Sequence, residues 1–534
     1  MVMIRMTFNW LRHSNSFWGR ALVAIVGGLS IAITFPAFNF APGIFIGIFL
    51  ILLAIRQAEF FKALAIGTFA GMAYYGLVLK WLTTYLGPIP WVALSVAEGL
   101  IFGLAVAVTA MVWRWLAALN LGSIKSFLIS FAIATIYTAR EYAAGQFPFG
   151  GLPWARGGLS QADTYLAKWV WAVDISGLTW LIAFICAMVT IKFVAPLPQG
   201  SGLVLRTRSW LPAIGVGVVV FVMPLAIVLD STPTSGTMKV AAVQGNANAG
   251  LFAVNPPGSI MDKHIATARE KVIDKGLAEG IDLMVWPENA ADLDPVTMLD
   301  QKVKISNFVD NELKAPLLFG NKTFRGADYF NEVDLWLPEK GLTDWYDKKR
   351  PVPFGEYVPN RSFFMSLAPD MIGLIGWDMS FGKRDGIFDI PNKGSVGSLI
   401  CFEVTIDQLS YDLADSGAKA IMVQTNSSDF GKSEQGVQLA AVSRMRAIET
   451  GKTVVSISTV GVSGIYFPDG SIADELPTFT PAAMVVDIPL RTQITPAVAY
   501  GRYIEPVSFA MTLLLFPTAV IGNFILRRRR KKQA

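Results

Sequence analysis

The sequence predicts a multi-span α-helical membrane domain joined to an extracytoplasmic α/β domain. Three observations predict it. Hydrophobic residues make up 53% of the 534, and mean hydropathy is +0.47, far above an ordinary soluble chain. Acidic residues are unevenly spread, with six of the 40 Asp and Glu in residues 1–230 and 34 after them. Long apolar runs recur before residue 231, and one more lies near the C-terminus.

A spanning helix needs about 20 mostly apolar residues, because the hydrocarbon core is about 30 Å thick and the rise is about 1.5 Å per residue. Seven segments qualify as candidates, near residues 18–35, 40–55, 63–82, 91–113, 126–144, 166–191 and 210–229, and an eighth runs over 506–526. The second is short and flanked by Pro36 and Pro42. The first has the positive flank of a signal peptide, but no small-residue cleavage site follows, so it reads as a retained helix.

Basic residues orient the spans. Arg5, Arg12 and Arg20, then Arg56 and Lys62, Arg114 and Lys125, and Lys192, Arg206 and Arg208 fall on alternate connections. The opposing loops carry Lys80, Arg140, Arg156 and Lys168. With eight spans the tail "RRRRKK", residues 527–532, joins the basic side, so both termini are expected in the cytoplasm. That tail also supplies most of the net charge of +5. Because it follows an apolar run, it reads as a membrane anchor and not as a nucleic-acid site. The expected domains are residues 1–230, residues 231–500 outside the cytoplasm, and residues 501–534.

Residues 231–500 read as α/β. "MKVAAVQGN", "IDLMVWPEN", "APLLFGNKT", "NEVDLWLP", "GSVGSLICFE", "KAIMVQTNSS", "KTVVSISTVG" and "AAMVVDIP" are strand-like runs, and helical spacing appears over 260–279, 404–416 and 434–450. Mostly continuous apolar strands predict sheets covered on both faces.

The chain has two cysteines. Cys186 lies in an apolar span and reads as a small buried hydrophobe. Cys401 ends an apolar strand two places before Glu403. In a disulfide-permissive compartment a cysteine without a partner points to a working thiol. A thiol attacks as thiolate and needs a base or a positive neighbour. The two histidines do not offer one: His13 is in the cytoplasmic arm, and His264 sits on a charged amphipathic helix where a solvated face is expected. The histidine count also excludes a histidine-rich metal site, and the cysteine count a cysteine-based one. Carboxylates remain. Glu288 follows Trp286 and Pro287 at a strand end, a dry setting that makes a carboxylate a better proton acceptor. Over residues 345–359, "WYDKKRPVPFGEYVP" places Lys348 and Lys349 before a proline-fixed loop holding Glu356. A held lysine stabilises a developing oxyanion.

"VWPEN", "YDKKRPVPFGEYVP" and "LICFE" stand in the order of the Glu–Lys–Cys triad of the nitrilase superfamily. With membrane spans on both sides, the chain resembles the apolipoprotein N-acyltransferases over nearly its whole length, including "RAIETG" and "STVGVSGIYFPDG". The resemblance implies an αββα sandwich with Glu288 as general base, Lys348 rather than Lys349 at the oxyanion, and Cys401 as nucleophile. It implies support from Glu356, Phe402 and Glu403. One departure is "NSSDFG", residues 426–431, where the family often has Asn-Asp-Ala-Trp-Phe-Gly.

The implied reaction is ping-pong transfer of a fatty acyl chain from a phospholipid, through a cysteine thioester, to the amine of a diacylglyceryl-cysteine lipoprotein. It implies a monomer in the bilayer with no cofactor, no metal and no nucleic acid. Residues 361–379 are rich in apolar side chains, including Phe363, Phe364 and Trp377, and read as a lid that admits lipid. Residues 146–161, with Trp154, read either as an interfacial floor or as a connecting loop. Glu98, an acid within a span, is either a site residue or a partner in an interhelical hydrogen bond. The rival readings are a membrane-tethered amidase or hydrolase, and a transporter or lipid-binding scaffold.

Overall fold

The computed structural model describes residues 16–194, 203–250 and 254–533. The chain forms two compact units, Met1–Val228 with Tyr500–Ala534, and Leu229–Ala499.

The first unit is helical. Its main helices are α1 (Phe17–Ala32), α2 (Gly43–Ile55), α3 (Phe60–Val78), α4 (Pro88–Ala118), α5 (Lys125–Gln146), α6 (Val170–Val194) and α7 (Leu203–Ala226). A final helix, Ile504–Gln533, packs on α4 and α5. Among the described residues, five helical segments are long and apolar enough to cross a membrane: Phe60–Val78, Pro88–Ala118, Gly122–Gln146, Tyr165–Val194 and Pro496–Arg529. The expected first, second and seventh spans are shorter apolar helices, Phe17–Ala32, Gly43–Ile55 and Trp210–Ala226. The second starts only at Gly43, because Pro42 stands at its N-cap.

Small residues set the helix spacing. Gly67 and Gly71 of α3 face Gly99 and Gly103 of α4. A Cβ on Gly71 would stand 2.8 Å from the Gly99 Cα, and one on Gly103 only 2.3 Å from Thr68 Oγ1. Paired small-xxx-small stripes let two backbones approach where lipid offers no hydrophobic drive.

Buried polar groups tie the helices further. Arg140 reaches the Tyr75 hydroxyl at 2.5 Å and Glu141 at 2.7 Å, and Glu141 also accepts the Gly157 N–H at 2.7 Å. Glu98 is 2% exposed and hydrogen-bonds Tyr75. Of its two expected roles, the structure displays the interhelical hydrogen bond. Cys186 is buried.

The second unit is a four-layer helix–sheet–sheet–helix sandwich. Its strands are β1 (Thr237–Gln244), β2 (Leu283–Val285), β3 (Leu317–Arg325), β4 (Asp328–Leu337), β5 (Gly341–Asp347), β6 (Ile387–Ile390), β7 (Gly394–Ile400), β8 (Ala420–Thr425), β9 (Thr453–Ser458), β10 (Ser463–Tyr466), β11 (Ile472–Leu476) and β12 (Ala482–Pro489). One sheet has the order β12-β1-β2-β3-β4-β5 and the other β11-β10-β9-β8-β7-β6. Along β1 (Thr237–Gln244), Val240 and Ala242 face the core between the sheets, which also holds Leu318 of β3, Val333 of β4 and Ile400 of β7. Ala241 and Val243 face the other way, into a core with α8 (Ser259–Ala268) and α9 (Leu299–Asn307). On the far side, α10 (Asp407–Asp415) and α11 (Gln435–Thr450) cover the second sheet. Both faces of each sheet are thus buried, which is why the strands read as continuous apolar runs.

Four strands lie outside the runs expected from the sequence: β5 (Gly341–Asp347), β6 (Ile387–Ile390), β10 (Ser463–Tyr466) and β11 (Ile472–Leu476). Three of them are sheet edges. An edge strand needs no apolar run, and β5 reads as "GLTDWYD". His264 also departs from expectation. It is fully buried, packs against Trp286 with ring centroids 5.5 Å apart, and holds the Ile260 carbonyl at 2.8 Å through Nδ1. Burial lowers its pKa to about 4, so it is a neutral core residue. Gly245 makes room for it, since a Cβ there would stand 2.6 Å from the imidazole.

Candidate active site

Three strand ends build the site. β2 (Leu283–Val285) ends three residues before Glu288, β5 ends at Asp347 just before Lys348, and β7 (Gly394–Ile400) ends just before Cys401. Within their sheets β2, β5 and β7 run so that these residues leave at carboxyl ends, the usual place for a site in an α/β fold.

Glu288 is 5% exposed and fully engaged. Its Oε1 accepts from Asn331 Nδ2 at 2.7 Å and from Lys348 Nζ at 3.3 Å. Its Oε2 accepts the Asn426 N–H at 2.9 Å. Lys348 Nζ also donates to Glu356 Oε1 at 2.9 Å. Glu356 is held in turn by the Val352 N–H at 2.6 Å and by Asn331 Nδ2 at 2.7 Å. One ammonium therefore lies between two carboxylates, and one amide nitrogen bridges them. Lys349 turns away to Asp385, 2.6 Å from Nζ.

Cys401 is half-buried and takes φ of +55°, in the left-handed region. A non-glycine residue there costs roughly 1 kcal/mol or more. The chain changes direction at this point, from β7 into a 3₁₀ turn over Cys401–Thr405. Glu403 fixes that turn. It is fully buried and accepts from the Tyr346 hydroxyl at 3.0 Å, the Arg350 N–H at 3.0 Å and the Ile400 N–H at 2.9 Å. Arg446 fixes it from the other side, bonding the Val404 and Thr405 carbonyls at 2.8 and 3.1 Å and pairing with Asp407 and Glu449.

The electrostatics follow from burial and charge. Burial disfavours the Lys348 ammonium, but Glu356 and Glu288 outweigh it and hold its pKa above the ordinary value. Burial raises the Cys401 thiol pKa, and Glu288 raises it further; Lys348 opposes them without prevailing. With its pKa raised, the Cys401 sulfur rests as a neutral thiol and not as a preformed thiolate. A thiol in that state attacks only when a base takes its proton as the bond forms.

The sequence-derived residues thus divide. Glu288, Lys348 and Glu356 meet directly, Cys401 lies within reach of their charges, and Glu403 is a buried brace for the turn. Phe402 follows Cys401 in that turn and is half-buried. The stretch expected to form a lid is more regular than its sequence suggests, with helices Arg361–Leu367 and Pro369–Ile372. Phe363 and Trp377 are 57% and 68% exposed, while Phe364 packs on Phe354 of the Pro-Phe-Gly-Glu loop at 4.9 Å. Trp154 belongs to the helical unit and is buried against Trp81, at 5.1 Å between ring centroids. It is a packing residue and not a lipid-facing one. Sequence reasoning missed Asn331, Asn426 and Tyr346. The one signal for Asn331 was an amide in line with Val333 and Leu335 on the core-facing side of the run "NEVDLWLP".

The fold and the site define a membrane protein of the nitrilase superfamily with a cysteine beside a Glu–Lys–Glu cluster. Residues 318–494 match the carbon-nitrogen hydrolase family. Residues 27–188 match the apolipoprotein N-acyltransferase N-terminal domain. Both matches, with relatives that span nearly the whole chain, make it similar to the apolipoprotein N-acyltransferases. Curated relatives carry that name. One from Mycolicibacterium smegmatis is 28% identical over 98% of this chain and 91% of its own length. One from Geobacter metallireducens is 28% identical over 95% of both, and one from Pseudomonas putida is 26% identical over 93% of this chain and 96% of its own. Among solved structures, a Nesterenkonia AN1 amidase of the nitrilase superfamily aligns at 16% identity with 49% of this chain and 94% of its own, with a TM-score of 0.37.

Proposed function

We propose that the protein transfers a fatty acyl chain from a phospholipid to the N-terminal amine of a diacylglyceryl-cysteine lipoprotein, through a thioester on Cys401. The observation that carries the proposal is the Glu288–Lys348–Glu356 cluster beside a cysteine held at positive φ.

Glu288 takes the thiol proton as Sγ attacks the ester carbonyl carbon of the phospholipid. Lys348, charged and fixed by Glu356, stabilises the oxyanion. The carbon–oxygen bond breaks, Glu288 returns the proton to the leaving alkoxide, and lysophospholipid departs. The lipoprotein amine then attacks the thioester. Glu288 accepts the amine proton, the carbon–sulfur bond breaks, and the proton goes back to the sulfur. The product is an amide and the free thiol is restored.

The protein is a multi-pass membrane protein. We place the catalytic unit on the outer side and both termini in the cytoplasm, a topology supported by the alternation of basic connections. It works as a single chain. The lid meets the bilayer through Phe363, Leu367, Leu374 and Trp377, all strongly exposed. Its base is bonded to the site backbone, the Met379 N–H to the Glu356 carbonyl and the Gly382 N–H to the Lys348 carbonyl, each at 2.8 Å. Lid position therefore bears on both residues.

The test is mass spectrometry of the intact protein from membranes. A fatty acyl mass on Cys401 that neutral hydroxylamine removes, and that persists until a lipopeptide is added, supports transfer. Rapid release of free fatty acid without acceptor would instead indicate a hydrolase.

A further inference from the structure

The outer face of the first sheet carries carboxyl groups that the proposed chemistry does not use. β3 (Leu317–Arg325) presents Asn321 and Thr323, and β4 (Asp328–Leu337) presents Glu332 and Asp334. Asp294 enters from the loop that follows Glu288. Asn321, Glu332 and Asp334 are at most 1% exposed. The Asn321 Nδ2 atom lies 3.0 Å from Asp294 Oδ1, 3.2 Å from Glu332 Oε1 and 3.1 Å from Asp334 Oδ2. An amide nitrogen carries two hydrogens, so it cannot serve three acceptors fully.

The other neighbours do not close the gap. Thr323 satisfies Asp294 Oδ2 at 2.6 Å. Arg325, the facing cation from β3, is spent on Glu332 Oε2 at 2.5 Å and on Asp347 of β5. Asp334 has no ion pair among the described residues, and its Oδ1 has no donor there. The Glu332 and Asp334 carboxyls are gathered on that one amide, 3.2 and 3.1 Å from its nitrogen. Two ionised carboxylates held so close in a buried place, with no cation for the second, repel strongly. Among the described residues, no group of three His, Cys, Asp or Glu is arranged to hold a metal ion.

We propose that Glu332 and Asp334 share one proton, and that this proton is a positioning device for the site on the opposite face of β4. Asn331, next to Glu332 in the chain, points the other way and holds both Glu288 and Glu356. Asp294 anchors the loop that leaves Glu288. Loss of the shared proton sets two buried negative charges against each other beneath both attachments.

The groups facing the pair are Arg325 and Asn321 from β3, Asp347 from β5 and Asp294 from the loop. Burial raises the pKa of both acids, with Asp347 and Asp294 adding to the rise for Glu332 against Arg325, and Glu332 reaches about 7. Unfolded, the two titrate near about 4. Between those limits the native state binds more protons than the unfolded state. Stability therefore falls as pH rises through that window.

Asp334→Asn supplies amide hydrogens in place of the shared proton. Thermal unfolding of the full chain in detergent is compared for wild type and D334N at about pH 5 and about pH 8. The stability of D334N relative to wild type should rise by about 3 °C or more toward the higher pH. A difference constant across the range overturns the shared proton, as does recovery of the wild type at high pH on adding millimolar calcium. If D334N does not fold, the infrared carboxyl band of wild type in heavy water decides: a protonated buried acid lost through the neutral range supports the proposal, and no such band overturns it. The alkaline limb of acyl transfer, which rests on the function proposed above, should move upward in D334N. A transfer profile that does not move while the thermal difference does would refute the positioning role alone.

Discussion

Asn331 stands 2.7 Å from Glu288 and 2.7 Å from Glu356 through a single amide nitrogen. It fixes the separation of the two carboxylates that flank Lys348, and it does so from a strand that contributes no charged group to the site. Asn331→Leu should keep the core apolar and the fold intact, yet lower acyl transfer about 100-fold or more by releasing both carboxylates. Initial rates with a phospholipid donor and a lipopeptide acceptor test this. A loss below threefold would show that Lys348 alone suffices to hold them.

Glu288 has opposing effects on the thiol. Its charge raises the Cys401 pKa, while its carboxylate is the proposed base. Glu288→Gln removes both. Alkylation of Cys401 by iodoacetamide should then reach its half-maximal rate at a lower pH than in wild type, while acyl transfer falls about 10²- to 10⁴-fold. Parallel pH profiles of alkylation and transfer make the comparison. If both rise or both fall, the division of roles is wrong.

Lys348 opposes the rise of the thiol pKa and separates two acids. In Lys348→Met the thiol should alkylate more slowly at neutral pH, and the profile should shift to higher pH. The same substitution leaves two buried acids without their cation, and should cost about 3–5 kcal/mol of stability unless one of them takes up a proton. Denaturant unfolding of the variant at two pH values reads this directly, with the smaller loss at the lower pH.

Arg446 is fully buried and joins α11 to the turn that carries Cys401. Arg446→Met strands Glu449 in the core and frees two carbonyls. Thermal unfolding should show a loss of about 3–5 kcal/mol. A change within 1 kcal/mol would mean that water replaces the guanidinium at no cost.

Phe363 and Trp377 of the proposed lid contribute exposed apolar area and no polar contact to the cluster. Phe363→Ser with Trp377→Ser should weaken capture of lipid donors, seen as a raised KM for phospholipid in vesicles, and leave Cys401 alkylation by a water-soluble reagent unchanged. A fall in alkylation instead would place these side chains inside the site.

Much of the second unit was legible because burial on both faces of a sheet writes itself into the chain as continuous apolar runs. β1, β3, β7, β8 and β9 are such runs. The edge strands β5, β6 and β11 were not, because an edge needs no such run, and β5 positions Lys348. His264 shows the same limit from another side. Its neighbours Lys263 and Asp262 made the helix look solvated, while Gly245, just after β1, had left a space that only the fold reveals.

By itself, the sequence determined that one cysteine, two glutamates and a lysine stand at or near strand ends, and that this unit is tied to apolar helices. It could do so because the burial of each segment is set by local composition and period. The tertiary structure alone decided that Asn331 bridges Glu288 and Glu356, that Lys349 turns away to Asp385, and that Glu403 braces a turn. Those relationships depend on which strands lie side by side and on the face each residue presents, and both are fixed only when distant segments pair and pack.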